Sequence, residues 1–186
     1  MEILTVIIRF SALAAVLTAP AALEAQQAKD LLPAPLPSQI TSGRKVFISN
    51  AGGDSNGLYS GGPNRLYNQF YAAMKSWGRY ELVDNPATAD LVFEINFLNP
   101  FVGENVSGGG LGHAPVTGRS VNDPQFRLVV LDPGTRVILW VFTGHIESAL
   151  LQGNRDKNFD QALVYLVNDL RNIAGQPVAS SQNTKR

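Results

Sequence analysis

Two histidines, His113 and His145, are the side chains in this 186-residue chain best suited to moving protons near neutral pH. His145 stands just before Glu147 and Ser148, and Asp132 lies upstream. A serine–histidine–acid relay would need a serine held on a strained turn between a strand and a helix. No Gly-x-Ser-x-Gly elbow supplies one, so His145 reads as a surface histidine at a strand end. His113 lies in "SGGGLGH", with Glu104 upstream. Two donors on one flexible loop do not preorganise a metal site. Cysteine is absent, which excludes disulfides, thiolate centres, cysteine nucleophiles and lipid attachment to a leader cysteine. No catalytic residue, cofactor or metal ligand is expected.

A second group of residues suits binding. "AGGDSNGLYSGG" (51–62) follows a strand and precedes a helix, where phosphate loops sit. It lacks the Gly-Lys-Ser/Thr ending and does not fit the dinucleotide fingerprint. The N–H groups near Asn64 could still hold an anion at the helix start. Tyr59, Tyr67 and Tyr71 could stack on a sugar or peptide, or simply pack. Tyr59, Asn64, His113 and His145 are the candidate ligand contacts, carried by loops 51–62 and 99–123.

The elements that must position them follow from periodicity. "RKVFISN" (44–50), "RYELV" (79–83) and "LVFEINFL" (91–98) read as strands. Residues 64–77 form a helix, with Leu66, Phe70, Ala73, Met74 and Trp77 on one stripe and Gly78 at its exit. A second helix spans 158–174, with Asn158 as cap and Gln161 completing a capping box. Residues 99–123 read as one long loop. The chain then makes a hairpin, "FRLVVLDPGTRVILWVF" (126–142), turning at Asp132-Pro133-Gly134-Thr135. Brief connections between the later strands imply antiparallel pairing, and two amphipathic helices cover one face. The expected fold is α+β, a two-layer sandwich of about five mixed strands with two helices on one face.

That hairpin is apolar on both sides. Pairing Leu131 with Val137 places Phe126/Phe142, Leu128/Trp140 and Val130/Ile138 under the helices. Val129, Leu131, Val137, Leu139 and Val141 then line the reverse face, which needs a cover from this chain or from a partner. Arg136 is expected to bear backbone strain, because it falls where related turns place glycine.

The first 25 residues have a charged start, an apolar run and small residues before Gln26, the pattern of a secretory signal peptide. Cleavage after Ala25 or Ala21 fits, and no stable membrane span would remain. Residues 26–43 read as a flexible linker, 44–175 as the domain and 176–186 as a disordered tail. The chain has 15 basic and 15 acidic residues. Loss of residues 1–25 removes one basic and two acidic residues, leaving a net charge of about +1 and no basic excess for nucleic acid.

"ADLVFEI", "RLVVLDPGTRVILW" and "GNRDKNFDQALVYLVNDL" together resemble secreted, mostly uncharacterised envelope proteins of Gram-negative bacteria. The layout is also similar to the amino-terminal domain of the Tol translocation protein TolB and to outer-membrane assembly lipoproteins. The resemblance implies a soluble periplasmic or secreted non-enzyme and no named partner. The apolar reverse face of the hairpin is what suggests an envelope protein or a second copy as partner. The other reading is a small-ligand binder or weak hydrolase built from loops 51–62 and 99–123.

Overall fold

The structure, a computed structural model, describes residues 35–107 and 117–175. The chain divides after Pro35 into two units, and the described fold belongs to the second. In chain order it contains α1 (Ser38–Ser42), β1 (Lys45–Gly52), α2 (Arg65–Trp77), β2 (Glu81–Val83) and a 3-10 turn (Pro86–Thr88). Then come β3 (Leu91–Leu98), β4 (Phe101–Ser107), β5 (Thr117–Asn122), β6 (Gln125–Leu131), β7 (Ile138–His145) and α3 (Gln152–Ala174). Five strands form one sheet in the order β2-β1-β3-β6-β7, while β4 and β5 pair separately. β1 runs parallel to both its neighbours, and β3, β6 and β7 alternate in direction.

Alternation along the strands builds the core. Val46 and Ile48 pair with Leu91 and Phe93 across β1 and β3. Phe93 and Ile95 pair with Val130 and Leu128, and Leu128 continues to Phe142 on β7. All eight are buried on one face. Leu66, Phe70 and Met74 of α2, with Phe159, Leu163, Leu166 and Leu170 of α3, join the same cluster. Both helices therefore cover one face, and the two-layer α+β arrangement expected from the sequence is the one that forms. Gly78 ends α2 at φ 68°, its N–H donating to the Met74 carbonyl, a left-handed cap that suits glycine.

The reverse face carries an apolar row across all five strands: Val83, Phe47, Val92, Leu131 and Ile138. Its cover comes partly from the chain. The connection from β2 to β3 must cross β1, and its 3-10 turn packs against that strand. Crossovers are right-handed, and this one moves opposite to the β1–α2–β2 unit, so it passes on the face away from α2. Val92 and Leu131 are buried, whereas Ile138 at the far edge is 53% exposed.

Four local expectations change. Residues 36–42, expected as linker, include α1, and Ile40 is fully buried in the core. The 99–123 loop contains the β4–β5 hairpin, whose polar, glycine-broken strands show no apolar face in the sequence. α3 starts six residues early, at Gln152. Asn158 caps nothing there; its Nδ2 donates to the Glu147 carbonyl at 2.9 Å. Its polar first turns carry no stripe because contacts to the 58–60 loop hold them instead.

The β6–β7 register is also offset. Leu128 faces Phe142, Val130 faces Trp140 and Phe126 faces Gly144. A two-residue slip keeps every side chain on its expected face, since the pleat repeats every two residues. A bulge on β7, where Leu139 is the extra residue opposite the Val130–Leu131 step of β6, then turns Ile138 outward and Leu139 toward the core. Arg136 adopts φ 61°, as its position in the turn suggested.

Candidate ligand cleft at one end of the sheet

The loop after β1, the β4–β5 hairpin and the segment between β7 and α3 meet at one end of the sheet. They enclose a cleft of about 460 Å³. Asn99, Asn105 and Asn122 contribute amides to its wall, and Ser120 and Ser148 contribute hydroxyls. Leu58, Tyr59, Val121, Pro124 and Leu150 supply apolar surface, and Arg155 supplies the one formal charge among the lining residues.

The 51–62 loop is a built structure. Asp54, 7% exposed, accepts N–H bonds from Tyr59 at 2.7 Å and Asn56 at 3.2 Å. Gly53 packs so tightly that a Cβ there would lie 1.6 Å from the Pro63 carbonyl oxygen. The Ser60 N–H and hydroxyl both donate to Asp156 on α3, at 2.9 and 2.7 Å. Arg65 closes the network. It donates to the Ser60 carbonyl at 2.8 Å and pairs with Asp156 and Asp160 at 2.7 Å each. Its guanidinium carbon lies 4.4 Å from the Phe159 ring centre.

These contacts shift protonation. Burial opposes charge on Asp156, but hydrogen bonds from Ser60, Arg65 and Gln152 outweigh it and hold the carboxyl well below the usual carboxylate range. Burial likewise works to lower Arg65, and the bonds to Asp160 and Asp156 raise it instead. Tyr59 is pushed up to about 12, first by burial and then by the Asp54 charge. Its ring meets Phe159 at 4.9 Å and Phe97 at 5.6 Å, so the cleft floor is continuous with the core.

Arg155 is tied to backbone. Its Nε donates to the Leu58 carbonyl at 3.2 Å, Nη1 to the Leu150 carbonyl at 2.8 Å, and Nη2 to Gln152 Oε1. It thereby fastens the β1–α2 loop to the start of α3. Leu150 and Leu151 stand 79% and 69% exposed beside it.

Of the residues singled out in the sequence, Tyr59 lines the cleft. Asn64 does not: its Oδ1 accepts from Asn50 Nδ2 at 3.0 Å, and it makes no side-chain cap for α2. His145 also stands outside the lining, with Nδ1 3.1 Å from Asp123 and its side chain 65% exposed. No hydrogen bond joins it to Ser148 among the described residues. His113 lies outside the described residues. Among the reverse-face residues, Leu131 is buried, Val129 is half-buried and Leu139 packs against the core. Val137 and Val141 are exposed, at 56% and 40%. Sequence reasoning missed the asparagines, Ser120 and Arg155, and weighed Ser148 only as a nucleophile. Their only signal was a density of Asn and Ser in aperiodic stretches. Among the described residues, no group of three or more His, Asp or Glu could hold a metal ion.

No protein-family model matches the chain, and no curated protein does. Among solved structures it is similar to a Helicobacter pylori protein named as a homolog of neuraminyllactose-binding hemagglutinin. That likeness has 12% identity, covers 74% of this chain and 86% of the other, and has a TM-score of 0.41. A Xanthomonas campestris protein of family DUF330 shares 10% identity over 77% of this chain and 87% of its own, at 0.39. A Neisseria meningitidis lipoprotein shares 13% over 67% of this chain and 99% of its own, at 0.34. None of the three is TolB, and the resemblance to that domain stays an expectation.

Proposed function

We propose that this chain is an exported, non-catalytic binding module of the bacterial envelope whose ligand sits in the cleft between the 51–62 loop, the β4–β5 hairpin and the start of α3. One observation carries the reading: the wall is made of Asn99, Asn105, Asn122, Ser120 and Ser148 over an apolar floor. Amides and hydroxyls donate and accept hydrogen bonds, but they do not exchange protons readily near neutral pH. Such a wall suits recognition of a ligand rich in hydroxyls or amides, a saccharide or a short peptide segment. Export rests on the charged, then apolar, then small-residue leader. No helix among the described residues is long and apolar enough to cross a membrane.

Thermal unfolding with a panel of mono- and oligosaccharides and short peptides tests this. A ligand at ten times its Kd should stabilise the fold by about 1.4 kcal/mol, roughly 3–6 °C. The shift should saturate and disappear in the Asn99→Ala, Asn122→Ala double variant. Equal shifts in both proteins, or no saturable shift from either class, would defeat the assignment.

A further inference from the structure

Among the described residues β7 is an edge strand, last in the order β2-β1-β3-β6-β7. The Ile146 N–H donates to the Pro124 carbonyl at 2.8 Å, one step beyond the Gln125↔His145 pair. In an antiparallel ladder the bonded pairs recur at every second residue. Trp140, Phe142 and Gly144 therefore bond to β6. The N–H and C=O groups of Val141, Thr143 and His145 point away from the sheet.

The two edges are unlike. β2 has three residues and is followed closely by Pro86. β7 has eight, contains no proline and carries no charged side chain from Val137 to Gly144. Short length, proline and charge are the usual protections of an edge against strand pairing, and β7 has none of them. Its bulge lies at the Leu139 end and leaves 140–145 regular. Exposed apolar area gathers here, in Val137, Ile138 and Val141.

We propose that β7 pairs antiparallel with β7 of a second copy of this chain, joining two sheets into one of ten strands. The strand is its own match. With the two-fold axis at Phe142, Val141 of each copy faces Thr143 of the other, and both residues offer free backbone groups. On the helix side Phe142 meets its counterpart, and Trp140 lies opposite Gly144. No like charges oppose one another along the paired stretch. Such an isologous contact closes on itself as a dimer. On α3, Asp160 faces α2 through Arg65. Tyr165, 58% exposed, lies about 140° round the helix from it, away from α2.

Sedimentation equilibrium on the full chain, with hydrogen exchange at low and high concentration, tests the pairing. The expected result is a dimer in which the Val141 and Thr143 amides gain about tenfold protection on concentration, while Trp140 and Phe142 are unchanged. Thr143→Pro removes only an outward N–H and should yield a folded monomer. Val141→Lys serves the same purpose without touching the backbone, should the proline variant fail to fold. A wild-type chain that stays monomeric at every concentration overturns the proposal. So does a dimer that survives Val141→Lys, and so does protection that appears elsewhere.

Discussion

The two ends of the sheet are held by different chemistry. Where β1 and β3 begin, side chains bind backbone. Asp90 accepts the Arg44 and Lys45 amides at 2.8 and 2.9 Å, and these bonds hold its carboxyl below the usual carboxylate range. The Tyr80 hydroxyl donates to the Ile40 carbonyl at 2.8 Å, and Arg79 donates to the carbonyls of Gly43 and Thr41. Buried Ile40 plugs that end. At the opposite end, ion pairs are added to such bonds: Arg65 pairs with Asp156 and Asp160, while Ser60 and Arg155 tie the 58–60 loop to α3. A cleft remains between the segments they join.

The largest expected effects lie in two buried side chains, one toward each end. Phe159→Ala should cost about 3–5 kcal/mol and Ile40→Ala about 2–5, measured by chemical denaturation. The ends then separate by readout. Phe159→Ala also removes the support of Tyr59, so cleft binding should fall with stability, whereas Ile40→Ala should leave binding intact in the folded fraction. A loss under about 1 kcal/mol for Ile40→Ala would mean that α1 is not integral to the core.

A smaller effect belongs to the polar network. Asp156→Asn removes a carboxylate from Arg65 and Ser60 and should cost about 1–3 kcal/mol at neutral pH. Because the folded carboxyl titrates below its ordinary value, its contribution is complete above about pH 4 and fades as acid protonates it. The wild type should therefore lose more stability than the variant on acidification. Parallel acid titrations of the two would contradict this.

The smallest effect belongs to the β6–β7 turn at the closed end. Arg136→Gly relieves a positive φ and should gain up to about 1 kcal/mol in thermal unfolding, without changing the cleft. Destabilisation would show that the arginine side chain contributes more than its backbone costs.

What could be read from the residues divides along the same line. α2, β1, β3 and the buried faces of β6 and β7 announce themselves by period, because one side of each meets the core. The turn at Asp132 was legible in its residue types, and so was the strain at Arg136. The cleft was not, apart from Tyr59. Asn99, Asn105 and Asn122 are brought together by a hairpin with no apolar face, and Arg155 by helical turns that face a loop. Side chains that contact distant loops leave no periodic mark. Nothing in the residue types of 84–90 announces that they cross over β1, so the partial cover of the reverse face leaves no mark in the sequence.

That crossing bears on how the chain assembles. β2 and β3 never touch as strands, and each finds its partner in β1. A polypeptide made from its amino end offers β1 first, as the template on which later segments dock. β3, paired along its length on both sides, should be the last part of the sheet to release its amide hydrogens, and a fragment beginning after residue 52 should leave the β3–β6–β7 meander without its neighbour.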